Sequence, residues 1–137
     1  MAKLKLWMRI VGVFYLVQLV VMIIIKGPIR TLAPENTLEL AAAGDRLAMF
    51  LVDTWIAFGI EVGVIGAALL LVSRVPERGK VLAWTVIAIE LLKGLPYDIY
   101  MISRDYKVTP FVVWIVIHTV IAVTGILALR SARTAAA

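Results

Sequence analysis

The sequence of 137 residues contains no cysteine and a single histidine, and only 17% of its residues are charged. The missing thiols exclude disulfides, thiolate metal sites, a cysteine nucleophile and covalently attached haem. The single histidine excludes bis-histidine haem ligation. A glycine-rich phosphate loop and a Gly-x-Ser-x-Gly nucleophile elbow are absent as well. The sequence therefore indicates neither catalytic residues nor a cofactor, and both stay unknown at this stage.

Apolar residues are abundant instead. They make up 63% of the chain and give it a mean hydropathy of +1.01, whereas a soluble domain is typically about 45–50% apolar. A soluble fold of this length could not bury the excess, so we predict an all-α integral membrane protein with a single domain over residues 1–137. The net charge of +5 does not indicate nucleic-acid binding, because Lys and Arg lie mostly at the ends of apolar segments.

Four stretches are long enough to cross a bilayer, which takes about 20 mostly apolar residues. They cover about residues 7–25, 47–72, 81–102 and 110–129. The first begins like a signal peptide, but no small-x-small cleavage site follows, so we interpret it as a retained span. The two later links are short, which predicts an antiparallel four-transmembrane-helix bundle. In the longer first link we predict a short interfacial helix that ends at Gly44, with Asp45 as the N-cap of the second span.

The basic residues favour one orientation of these spans. With four spans both termini share a side, and that side carries eight basic residues: Lys3, Lys5, Arg9, Arg74, Arg78, Lys80, Arg130 and Arg133. The other side carries five: Lys26, Arg30, Arg46, Arg104 and Lys107. Because basic residues are enriched in cytoplasmic loops, we predict that both termini are cytoplasmic.

Every predicted span carries polar side chains near its middle. Glu90, Lys93 and Tyr97 share a helix face at spacings of three and four, and Asp53 and Asp98 form a second, outer layer. The predicted spans contain four acidic residues, Asp53, Glu61, Glu90 and Asp98, and one lysine, Lys93. Such a set either carries excess negative charge or keeps some carboxyls protonated. A purely structural bundle needs neither, so we favour a functional polar pocket. We predict that its ligand-binding residues are Gln18, Glu61, Glu90, Lys93, Tyr97 and His118.

Structural interpretations of the same residues stay open. Glu90 and Lys93 can neutralise each other inside the bundle, His118 can be a satisfied core histidine, and Gln18 can join helices by a hydrogen bond. Asp53 and Asp98 can be hydrated groups near the interface. We predict no metal site, since neither Glu-x-x-His nor His-x-x-x-His is present.

The third predicted span is weakened in its outer half. A charge at this depth costs between about 2.5 and 17 kcal/mol, yet the span contains Glu90 and Lys93. Pro96 cannot donate a hydrogen bond to the Leu92 carbonyl, and Gly94 loosens the same turn. Broken helices beside midplane charges recur at membrane binding sites, so this span is the strongest indication of function.

The second predicted span also has a face of small residues. Gly59, Gly63 and Ala67 recur at a spacing of four, and Gly66 lies beside them. Such a stripe permits close approach of another helix. It predicts either packing within the bundle or a contact between protomers.

Several short runs resemble the BphX-like family of small bacterial membrane proteins. They are Ala43-Gly44-Asp45, Phe50-Leu51-Val52-Asp53-Thr54-Trp55, Phe58-Gly59-Ile60-Glu61, Asp98-Ile99-Tyr100-Met101-Ile102 and Trp114-Ile115-Val116-Ile117-His118. The resemblance covers nearly the whole chain. It implies a multi-pass protein of the bacterial inner membrane, and it supplies neither an activity nor catalytic residues. A looser likeness to four-helix EXPERA-type proteins, which include sterol isomerases, is architectural only.

Four functions fit these observations. The first is binding or carrying a hydrophobic small molecule or lipid, whose polar head would contact the midplane residues. The second is an accessory subunit of a larger membrane enzyme or transporter. The third is proton-coupled transport by a homo-oligomer with Glu61 or Glu90 as the proton carrier, and the fourth is an intramembrane isomerase that uses Glu or His as acid and base. The expected partners are the lipid bilayer, a hydrophobic ligand and other membrane chains, without nucleic acid.

Overall fold

In a computed structural model that describes residues 1–104 and 106–134, most of the described residues are helical. The helices are α1 (Ala2–Val20), α2 (Gly27–Leu32), α3 (Thr37–Ala42), α4 (Arg46–Val72), α5 (Lys80–Ile89), α6 (Leu95–Ser103) and α7 (Val108–Thr134). Two π-helical segments interrupt the regular hydrogen bonding. The first π segment (Val21–Ile25) continues α1, and the second π segment (Glu90–Gly94) joins α5 to α6.

Three helical stretches in the described part of the chain are long and apolar enough to cross a membrane: Ala2–Ile25, Arg46–Val72 and Val108–Ala132. They match the first, second and fourth predicted spans and indicate a membrane protein. The stretch predicted as the third span is also helical, from Lys80 to Ser103. It differs from the others because the second π segment divides it and because it carries several ionisable side chains.

The chain divides into two compact units. The first unit contains Met1–Val11 and the described residues from Leu69 onward. In it α5, the second π segment and α6 pack along α7. The N-terminal turns of α1 complete the core, where Leu4, Met8, Ile87 and Phe111 are buried. A direct hydrogen bond from the Trp7 indole Nε1 to the Ile121 carbonyl, 3.1 Å long, ties α1 to α7.

The second unit, Gly12–Ala68, joins the rest of α1 to most of α4. Its packing depends on the small-residue stripe of α4. A Cβ at Gly59 would lie 2.8 Å from the Met22 Cβ, and one at Gly63 would lie 2.7 Å from the Leu19 Cδ2. A Cβ at Gly66 would lie 2.8 Å from the Gly12 carbonyl oxygen. These three glycines therefore face α1 of the same chain, and Ala67 beside them is half-buried.

The link between α1 and α4 contains the short predicted helix as α3. It ends before Gly44, whose φ of +88° is readily adopted only by glycine. The Asp45 carboxylate accepts a hydrogen bond from the Ala48 backbone N–H at 2.8 Å, so Asp45 is the N-cap of α4 as predicted. Lys26, at the end of the first π segment, has a left-handed backbone with φ of +52°.

Candidate functional site

The second π segment changes which residues share a face with Glu90. The Leu95 backbone N–H donates to the Glu90 carbonyl, five residues back, so this turn contains one residue more than an α-helical turn. In a continuous α-helix, where each residue turns by about 100°, Tyr97 would lie nearly below Glu90. Because the widened turn contains one extra residue, Asp98 lies nearly below Glu90 in place of Tyr97. Glu90 and Asp98 are both 3% exposed, whereas Tyr97 is 43% exposed.

This register corrects the sequence prediction for two residues. Asp98 was expected in a separate outer layer and Tyr97 on the face of Glu90. The structure instead brings Asp98 into the same cluster as Glu90. Two local features permit this register: Pro96 has no N–H and Gly94 has no side chain, so this turn can widen at little cost.

His118 of α7 lies between the two acids. Its Nδ1 forms a hydrogen bond with the Glu90 Oε2, and its Nε2 lies 3.3 Å from the Asp98 Oδ2. The side chain of His118 is 19% exposed, whereas both carboxyl side chains are only 4% exposed. We call these three residues the Glu90–His118–Asp98 cluster.

Gly94 allows the imidazole to approach this helix. A Cβ at Gly94 would lie 2.7 Å from the His118 Nδ1 and 2.8 Å from its Cε1, closer than real Cβ atoms approach. The ring also lies beside Trp114, one turn earlier on α7, with ring centroids 5.8 Å apart. The widened turn, the missing side chain and the indole together determine where the imidazole lies.

One acceptor of the cluster has no hydrogen bond within the described residues. The Asp98 Oδ2 is fully buried, and its 3.3 Å approach to the His118 Nε2 does not have hydrogen-bond geometry. A buried polar atom without a partner costs about 1–3 kcal/mol, and more when the group is charged. This oxygen is therefore suited to accept a hydrogen bond from a bound molecule.

The cluster has more acid than base. With an imidazolium and two carboxylates its net charge is −1. The three side chains can donate and accept hydrogen bonds. Throughout residues 1–104 and 106–134, no group of three or more His, Asp and Glu side chains is arranged to hold a metal ion.

The other predicted site residues lie elsewhere. Lys93 is exposed, although it is on the same π segment as Glu90. Gln18 is half-buried and Glu61 is exposed, and both belong to the second unit, as does the exposed Asp53. The structure therefore groups three of the predicted residues, and a single polar layer through all spans stays a prediction.

Comparison with known proteins agrees with the resemblance of the short runs. The profile described as BphX-like matches residues 1–134. An "Uncharacterized BphX-like protein" of Burkholderia cepacia is 31% identical over 121 residues, which cover 86% of this chain and 84% of that protein. The "Uncharacterized BphX-like protein Bxeno_C1129" of Paraburkholderia xenovorans (strain LB400) has the same identity and coverage. No solved structure gave a significant match. The protein belongs to the BphX-like family.

Proposed function

We propose that this protein binds or carries a hydrophobic small molecule or lipid in the bacterial inner membrane, with the polar group of that molecule at the Glu90–His118–Asp98 cluster. The buried Asp98 Oδ2, which has no hydrogen-bond partner among the described residues, carries this proposal. A hydroxyl or amine of the ligand would donate to this oxygen and remove the cost of leaving it without a hydrogen bond. His118 is the part-exposed member of the cluster, so the ligand would approach from its side.

The proposal includes four spans with both termini in the cytoplasm. The helical stretch from Lys80 to Ser103 contains ten, five and nine residues in its three parts, which gives about 36 Å at 1.5 Å per residue. That length is enough for the hydrocarbon core. Glu90 and Asp98 are buried against α7, which lowers the cost of placing these two acids in a bilayer.

Because the chain has no cysteine, its topology can be tested with single-cysteine variants. Glu35→Cys, Glu77→Cys and Lys107→Cys place a thiol in each of the three links, where all three positions are exposed. A membrane-impermeant maleimide should label Glu77→Cys from the cytoplasmic side and the other two from the opposite side. Labelling of Lys107→Cys from the same side as Glu77→Cys would mean that residues 80–103 do not span the membrane.

Ligand binding can be tested by thermal unfolding of the purified protein in detergent. The probes are dodecanol and dodecylamine, which carry one donor group, and dodecane, which carries none. A ligand at a hundredfold excess over its Kd stabilises by about 2.7 kcal/mol. We expect a higher Tm with the two donor probes, no rise with dodecane, and loss of the effect in Asp98→Asn and Glu90→Gln.

Asp53→Asn is the matched control, because it removes an acid that lies in the other unit. It should respond to dodecanol as the unmodified protein does. The proposal is wrong if dodecane stabilises as much as dodecanol, or if Asp98→Asn keeps the full response. Far-ultraviolet circular dichroism of each variant shows whether its helices are intact.

A role as subunit of a larger assembly is the second candidate, and the exposure of Glu61 favours it. Glu61 lies near the middle of the apolar helix Arg46–Val72 and is exposed on the chain. A carboxyl facing lipid at that depth is costly, and a partner that donates a hydrogen bond would lower the cost. Purification from native membranes in mild detergent should then yield a larger complex that Glu61→Gln weakens and Glu77→Gln does not. A lone monomer from the unmodified chain would exclude this role.

A further inference from the structure

We propose that the second unit has a separate site for one anionic phospholipid, in a cleft at the α1 end of the first link. The cleft has a volume of about 560 Å³, within the range of about 300–1,000 Å³ typical of small-molecule sites. Its lining includes the basic residues Lys26 and Arg30 and the acid Asp53, together with apolar side chains that include Ile24, Leu38 and Met49. This site goes beyond the proposed function, since it is formed by different residues and carries the opposite net charge.

The two basic residues are available to an anion. In the described part of the chain neither Lys26 nor Arg30 forms an ion pair with a carboxylate, and Asp53 in the same lining forms none with them. The Arg30 Nε donates to the Ile25 carbonyl at 3.0 Å, which orients the guanidinium and leaves its terminal amino groups for another acceptor. Two cations against one acid give the cleft a net positive charge.

The cleft lies at the depth of lipid headgroups. Lys26 directly follows the apolar stretch Ala2–Ile25. Asp53 lies seven residues into α4, which begins at Arg46, or about 10 Å along the helix axis. The cleft therefore occupies a layer about 10 Å thick at the end of both apolar stretches, where phosphates meet acyl chains.

Charge and lining together favour a phospholipid over a soluble anion. Phosphate is recognised by Arg and Lys side chains, and basic pockets at helix ends bind acidic lipid headgroups. The apolar part of the lining would contact the first carbons of an acyl chain, which a free phosphate cannot supply. A zwitterionic lipid has a cation of its own and gains less from Lys26 and Arg30.

The test measures lipid binding to the purified protein in detergent, by titration with phosphatidylglycerol, phosphatidylcholine or inorganic phosphate. We expect phosphatidylglycerol to raise the Tm in a saturable way, with little effect of the other two. Lys26→Gln and Arg30→Gln should each weaken phosphatidylglycerol binding at least about tenfold, because each removes a hydrogen bond to the charged phosphate. Asp53→Asn should strengthen it, because the substitution removes the opposing charge.

Arg46→Gln is the matched control, since it removes an exposed basic residue of the same unit outside the cleft lining. Its affinity should stay within about twofold of that of the unmodified protein, well short of the tenfold loss expected when one direct phosphate contact is removed. Equal losses in Arg46→Gln and Lys26→Gln would overturn the proposal, because generic surface charge would then explain them. Phosphate that stabilises as strongly as phosphatidylglycerol would also overturn it. Lys26→Arg and Arg30→Lys keep the charges and should keep the affinity, which separates loss of binding from misfolding.

Discussion

Alanine at position 94 should disturb the Glu90–His118–Asp98 cluster. The built Cβ would lie 2.7 Å from the His118 Nδ1, so either the imidazole or the second π segment must move. Overpacking of this kind costs about 1–3 kcal/mol. If the ring moves away instead, the hydrogen bond with Glu90 is lost, which costs about 1.5–3 kcal/mol. Replacing a helical glycine with alanine returns about 0.5–1 kcal/mol, so we expect Gly94→Ala to lower stability by about 0.5–2 kcal/mol.

A double-mutant cycle shows whether the imidazole causes this loss. In His118→Ala the ring is absent, so adding Gly94→Ala should be neutral or stabilising by about 0.5–1 kcal/mol. The expected coupling between the two positions is about 0.5–3 kcal/mol, in the range seen for residues in contact. The measurement is reversible unfolding of all four proteins in one detergent, with circular dichroism to verify their helix content. An equal loss from Gly94→Ala in both backgrounds would refute the contact between Gly94 and the imidazole.

Three further substitutions test the packing and the helix cap, each by its Tm in the same detergent. Gly66→Ala should lower stability by about 1–3 kcal/mol, because the new Cβ would lie 2.8 Å from the Gly12 carbonyl oxygen; an unchanged Tm would mean that α1 and α4 do not pack this closely. Trp7→Phe should lose about 1 kcal/mol with the 3.1 Å hydrogen bond to the Ile121 carbonyl, and a neutral result would contradict that bond. Asp45→Ala should cost about 1 kcal/mol and Asp45→Ser much less, whereas equal losses in the two variants would argue against N-capping.

The register of the third predicted span shows where prediction from sequence reached its limit. Gly94 and Pro96 indicated a weak turn, and that turn is the second π segment. The sequence did not show that this turn would contain one extra residue, because the widening of a turn also depends on the side chains that pack against it. In this chain His118 lies against Gly94, and Asp98 takes the position that regular helical spacing assigns to Tyr97.

The basic residues of the first link show a related limit. Lys26 and Arg30 entered the prediction only as part of the orientation count. Their common position in one cleft depends on α2 and α3 folding beside the start of α4. The positions of the two basic residues in the sequence do not show how α2 and α3 fold against α4, so the sequence did not predict the cleft.

The sequence by itself determined the helical class, the membrane character and the family, because long apolar runs and short polar links have few other solutions. It also determined local features that depend on one or two residues, such as the Asp45 cap and the turn at Gly44. Tertiary structure decided which acids meet His118 and which helix the glycines of α4 contact. These outcomes depend on rotation and register between helices, and a single widened turn changes both.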